Sequence, residues 1–306
     1  MAEGPLGLGC FGKLPFWPEY IERSAGLPTA RALRTWLHEG KETSASIADE
    51  EIACVDVPIR ARLRLLLGLP GSAELLVGVL RGSKDHGGRN FPFSVFAHLP
   101  RRLYGKHYAL LPLALAPVWD ALDEAWDVLA SVASKAAFDE VLSGLEAPQP
   151  EPAKLIAATY KSDQDRSIAA LNGRADGACR EALQEKMPEV LARLKQGNGE
   201  LGLELPVSSD PEEACFDVTF WIDLLNHQFF MKRFEPSVLL DETRSREDRT
   251  VYLRFGKLDA ADYPTVMGFG DPDAPFSRPA HPDQPRGAEA AGDGPTYAEI
   301  LASRFS

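Results

Sequence analysis

Three side chains in one short stretch carry the types that chemistry needs: Asp85, His86 and Arg89, inside Ser83-Lys84-Asp85-His86-Gly87-Gly88-Arg89-Asn90. A carboxylate serves as a base, an imidazole as an acid or base, and a guanidinium as an oxyanion donor. Their spacing identifies no reaction, and no nucleophile-base pair accompanies them, so no catalytic residue is assigned. A second use of the same residues is structural. Asp85 then accepts backbone N–H groups to fix the turn, and Arg89 pairs with it or with Glu19. Gly82, Gly87 and Gly88 open backbone angles closed to other residues, so the chain itself can specify the loop geometry.

Other chemistries find less support. The six histidines, His38, His86, His98, His107, His227 and His281, form no H-x-x-x-H or H-x-H pair, so no metal site is expected. Gly7-Leu8-Gly9-Cys10-Phe11-Gly12-Lys13 has the look of a phosphate loop, but it lacks the Gly-Lys-Ser/Thr ending and runs into Leu14-Pro15 instead of a helix. Neither a G-x-S-x-G elbow nor a G-x-G-x-x-G after a strand is present, and no cofactor is expected. Cys10, Cys54, Cys179 and Cys215 lie far apart, as reduced packing residues do.

The elements that must position the loop are strands. Glu74 to Leu80 is a nearly continuous apolar run, and Phe91 to Ala97 is rich in Phe and Val. Ala61 to Leu67 alternates Arg62 and Arg64 with leucines, and Gly68-Leu69-Pro70-Gly71 turns it back as an antiparallel partner of the Glu74 strand. Gly9 to Lys13 opens as a further strand. Helices are expected after Pro28, with Leu33, Trp36 and Leu37 on one face, and after Pro117, with Val118, Leu122, Ala125, Trp126 and Leu129 in period. Another spans about 134 to 145. Asp210-Pro211-Glu212-Glu213 starts a fourth, capped by Asp210, with Phe216, Phe220, Trp221 and Leu224 on its apolar face. Glu200 to Leu205, Ser237 to Leu240 and Thr250 to Phe255 read as strands, and Asp176 to Lys195 as an interrupted helix. The five tryptophans belong mostly to the core.

With 306 residues, 44% hydrophobic, the chain can bury a sizeable core. Its formal net charge of -12 argues against a broad nucleic-acid or anionic-membrane surface. No apolar stretch approaches the length that spans a bilayer, and Met1-Ala2-Glu3-Gly4-Pro5 lacks the features of a signal peptide, so a cytoplasmic location without membrane insertion is expected. Ala147-Pro148-Gln149-Pro150-Glu151-Pro152 marks a candidate boundary. It divides the chain into 1–146, a 153–270 helical and α/β region read either as a separate part or as continuous with the first sheet, and a 271–306 tail. That tail is dense in Pro, Gly, Asp and Ala and reads as flexible, closing on a short Thr296 to Phe305 helix.

Two ordered motifs, Gly9-Cys10-Phe11-Gly12-Lys13-Leu14-Pro15 and Ser83-Lys84-Asp85-His86-Gly87-Gly88-Arg89-Asn90-Phe91-Pro92, resemble the signatures of the TagF family, also called ImpM, of type VI secretion-associated proteins. In that family a Gly-Lys-Leu-Pro start is followed by an acidic residue and an Arg, here Glu19 and Arg23, then by a helix bearing a Trp, here Trp36. The later loop matches Ser83, Asp85, Gly88, Arg89, Phe91 and Pro92. The similarity is most specific over residues 9 to 100 and weaker over 216 to 267. It implies an α/β fold with a largely antiparallel sheet covered by helices. It also implies a non-enzymatic regulator of type VI secretion that works after translation through protein contacts. Its implied partners are an apparatus protein, the forkhead-associated-domain scaffold among them, and a phosphatase of the same pathway. Lys13, Glu19, Arg23, Ser83, Asp85, Arg89, Phe91 and Pro92 are the candidate binding or loop-ordering residues. Two other readings remain open: a small hydrolase or transferase using Asp85 to Arg89, and an adaptor that binds through the terminal helix.

Overall fold

The protein is described by a computed structural model over residues 4–47, 61–160, 192, 201–227, 235–242, 249–267 and 276–277. Among the described residues ten strands build one sheet: β1 (Leu6–Gly12), β2 (Ile21–Arg23), β3 (Arg62–Gly68), β4 (Glu74–Arg81), β5 (Phe93–Pro100), β6 (Glu146–Ala147), β7 (Leu201–Pro206), β8 (Ser237–Asp241), β9 (Thr250–Phe255) and β10 (Phe276–Ser277). The order is β10-β7-β9-β8-β3-β4-β5-β1-β2, with β6 added to β1. All pairs are antiparallel except the short β10–β7 pair. The fold is α/β with a largely antiparallel sheet. Of the 271–306 segment only β10 is described; the remaining tail, the Thr296 to Phe305 helix, and all of Asp176 to Lys195 but residue 192 lie outside the described residues.

Helices cover both faces. Helix α1 (Pro28–Ile47) seats Leu33, Trp36 and Leu37 against Leu63, Leu65 and Leu67 of β3 and Leu76 and Leu80 of β4. On the other face Leu66, Val77, Val79 and Val95 meet Val118, Trp119, Leu122 and Leu129 of helix α2 (Ala116–Ala130). Helix α3 (Lys135–Gly144), capped by the Ser134 hydroxyl, adds Phe138 there. Helix α4 (Pro211–His227) is capped by Asp210, whose Oδ1 accepts the Glu212 and Glu213 N–H groups, and it buries Phe220 and Trp221. Successive strand residues thus enter two cores, as the period of two requires. Among the described residues, no helix is long and apolar enough to cross a membrane.

The β3 alternation puts Arg62 and Arg64 on the face opposite Leu63, Leu65 and Leu67, and Arg64 is buried there. The reason lies on α2, where Asp120, Asp123 and Asp127 fall on one side, three and four residues apart. Arg64 Nη2 meets Asp120 at 2.9 Å and Asp123 at 3.3 Å, and its Nε meets Glu242 at 2.9 Å. Arg81, the direct cross-strand partner of Arg62, reaches Asp123 at 2.5 Å and Asp127 at 2.6 Å. Arg64 and Arg81 also lie over the rings of Trp119 and Trp126.

The proline-rich 147–152 segment is tied down on both sides. Ala147 pairs with Leu6, Gln149 Nε2 donates to the Gly4 carbonyl at 2.6 Å, and Glu151 N–H donates to the Ala114 carbonyl at 3.2 Å. The Tyr104 hydroxyl donates to the Glu151 carbonyl. Residues 153–160 continue as helix.

Candidate functional site

The site forms where β1 ends beside the start of β5. Gly12 has φ +138, and a Cβ there would stand 2.2 Å from the Pro92 carbonyl oxygen and 2.7 Å from Phe93 Cα. Only glycine lets the two backbones approach this closely. The next residue is Lys13, and the closeness delivers its side chain under the 83–91 loop. Lys13 Nζ donates to Asp85 Oδ2 at 2.9 Å, with both side chains covered.

Asp85 organises that loop. Its Oδ1 accepts the Arg89 N–H at 2.9 Å, and its Oδ2 accepts Arg89 Nε at 2.6 Å. Its carbonyl accepts the Gly88 N–H at 3.0 Å, with Gly88 at φ +81, and its own N–H donates to the Arg89 carbonyl at 3.0 Å. Phe91 N–H closes the turn on the Ser83 carbonyl at 3.0 Å, while Phe91 and Pro92 are buried beneath. Burial alone would raise the Asp85 carboxyl. The hydrogen bonds from Lys13 and from Arg89 backbone and side chain, with the Lys13 charge, hold it far below the ordinary carboxylate range instead.

A second loop completes the surface. His86 N–H donates to the Trp17 carbonyl at 3.4 Å, and His86 Nδ1 lies 3.3 Å from the Pro15 carbonyl. Lys135 of α3 sits over the Trp17 ring. Tyr20, 41% exposed, stacks on Phe11 at 5.7 Å between centroids and meets Phe91 edge-on at 4.9 Å and His38 at 4.7 Å. Lys13 Nζ lies over the Tyr20 ring at 4.7 Å, so the ammonium is shared between a carboxylate and an aromatic face. Burial raises the Tyr20 hydroxyl and, with Arg34 beside it, lowers His38. From α1, Lys41 donates to the Asn90 carbonyl at 2.5 Å.

Of the motif residues with charge, Lys13, Asp85 and Arg89 converge. Arg23 does not join them: it points to Asp139 of α3 at 2.6 Å. Glu19 stays exposed, and Arg89 takes Asp85 as its partner. Tyr20, His38 and Lys41 belong to the site although the motif reading passes over them. For the two α1 residues the signal is periodicity: His38 and Lys41 stand three apart, one residue around from the buried Leu37 and Gly40.

The described cysteines are placed as packing. Cys10 and Cys215 are buried and free, each thiol pushed up to about 12 by burial. Cys54 and Cys179 lie outside the described residues. Among the described residues, no group of three His, Cys, Asp or Glu is placed to hold a metal ion.

Residues 9–147 match the family model of the TagF N-terminal domain, type VI secretion system-associated. No curated protein matches the chain. Among solved structures, PA0076 from Pseudomonas aeruginosa PAO1 is 24% identical over 47% of this chain and 66% of that one, with a TM-score of 0.36. The match thus spans just under two thirds of that protein's solved chain.

Proposed function

We propose that this chain, whose residues 9–147 match the TagF N-terminal domain, type VI secretion system-associated, is a non-enzymatic accessory regulator that restrains or tunes the secretion apparatus after translation. It acts in the cytoplasm through contacts with an apparatus protein, the forkhead-associated-domain scaffold among the candidates, in the same pathway as a phosphatase. The observation that carries this reading is the use made of Asp85. Its carboxylate is covered, ionised and occupied by Lys13 Nζ, Arg89 N–H and Arg89 Nε, so it has neither the access nor the basicity of a general base.

A hydrolase or transferase needs the same three residues to converge around a reactable space. Convergence is met, but the Asp85 side chain has 0% exposure, which leaves a substrate no oxygen to approach. The motif pair therefore supports a shaped recognition surface better than a reaction centre. Deleting the gene in a secreting strain, with effector secretion quantified and a tagged chain used for pull-down, tests the proposal. Altered secretion with copurification of an apparatus protein is the expected result. Unchanged secretion under every condition together with no apparatus protein copurifying would overturn it.

A further inference from the structure

We infer that the outer side of the 84–89 loop, with Tyr20 beside it, is a docking site for an acidic segment of a protein partner, an inference that rests on the reading of this chain as acting through protein contacts. The chain carries -12 overall, yet this loop shows solvent only positive or neutral groups. Lys84, His86 and Arg89 are exposed, while the loop's single carboxylate, Asp85, is buried.

Charge counting explains why the patch stays cationic. Lys13 already neutralises Asp85 from below, so the Lys13–Asp85–Arg89 triad sums to one positive charge and that charge sits on Arg89 at the surface. Lys84, without an ion-pair partner among the described residues, adds a second. A patch of this sign on a strongly negative molecule attracts carboxylates locally and repels them elsewhere, which favours one docking place.

Geometry then fits the ligand class. Arg89 is clamped through its Nε and its backbone N–H, yet its side chain is 67% exposed and its two terminal nitrogens have no protein partner among the described residues. That presents a guanidinium fork already oriented for a carboxylate, with little rotamer entropy left to lose. Tyr20, within electrostatic reach of Arg89 and fixed by Phe11, His38 and Phe91, supplies a rigid ring for a neighbouring side chain of the same segment. Glu42 flanks Tyr20 from α1 and directs the acidic end of the ligand toward the loop. Two cations suit a short acidic peptide and fall short of the charge that a nucleic acid requires.

The test uses the purified full chain and a fluorescein-labelled decapeptide of Glu and Asp with one Tyr, followed by anisotropy. Binding that weakens from 50 to 300 mM NaCl is expected, falling roughly fivefold for Lys84→Glu at unchanged melting temperature. Arg89→Lys keeps the charge but not the fork, and a loss there is expected too. Lys257→Glu, beyond β9 and so three to four strand positions across the sheet from the β4–β5 loop, should bind as the parent does. Parent-like binding by both loop variants, or equal binding of the Gln/Asn version of the peptide, would overturn the inference. A phosphoserine version binding more than about tenfold tighter would also overturn it, by assigning the fork to phosphate. In a secreting strain, an apparatus protein retained by Lys84→Glu and Arg89→Lys sinks this docking site alone. None copurifying with the parent chain counts against the regulatory reading instead.

Discussion

Asp85 is the residue on which the site turns, because one covered carboxylate both closes the 83–91 loop and receives Lys13 from β1. Removing its charge in Asp85→Asn leaves Lys13 buried without a counter-ion. The loop lies at the surface, so water softens the loss to about 1–2 kcal/mol from the roughly 3–5 kcal/mol of a deep pair. The sign with pH follows from the direction of its pKa. A carboxyl held lower in the fold than in the unfolded chain contributes stability that is fully present above the unfolded value, about 4, and is lost as pH falls through the folded one. Urea titrations of parent and Asp85→Asn should therefore differ most at pH 7 and converge as pH drops below about 4. A gap as wide at pH 3 as at pH 7 would show that the carboxylate is not ionised in the fold. In the sequence, the Asp85–Arg89 pairing and the backbone clamp follow from a short polar residue before two glycines. The Lys13 contact spans 72 positions and has no local signature; only the coming together of two motifs hints at it.

Helix α2 and strands β3 and β4 show the same logic one level up, since a row of aspartates on the helix faces a row of arginines on the sheet. Asp123 is the hub, meeting Arg81 at 2.5 Å, Arg64 at 3.3 Å and Arg62 at 3.5 Å. Asp123→Ala leaves Arg64 with Asp120 and Glu242, and Arg81 with Asp127, so the cost is less than a lone buried pair: about 2 kcal/mol by denaturant unfolding. A change within 0.5 kcal/mol, the usual range for an exposed pair, would mean that the network is solvated and that apolar packing alone seats the helix. Strand and helix periods are legible in this region; the first helix start is read from Pro28, and the start of α4 from the Asp210 cap. What periodicity leaves open is burial: an Arg-Leu alternation states which residues share a face, not whether water or a helix covers it. The aspartates at 120, 123 and 127 hold that information, and it becomes visible only when helix and strand are placed together.

At the scale of the molecule, the sheet joins strands from distant parts of the chain across β3 and β8. Leu63 to Leu66 pair with Val238 to Asp241, and the Tyr108 hydroxyl donates to the Pro236 carbonyl at 2.7 Å. Both cores continue through this seam: Val238 and Leu240 lie in one, Leu239 and Tyr252 in the other. A composition break at 147–152 carries no information about such pairing, because prolines mark where the backbone extends and not which strands it later joins. The family match ends at residue 147, well before β8. A chain truncated after residue 150 would keep the whole motif pair but bare the outer edge of β3 and the apolar faces behind it. The expected outcome is loss of a cooperative thermal transition, binding of a hydrophobic dye and self-association, while the full chain melts with one main transition. A truncated chain that stays monomeric and melts cooperatively would show that β8 and β9 are an addition to a self-sufficient sheet. In that case the Lys13–Asp85–Arg89 surface could be transplanted without the second half of the protein.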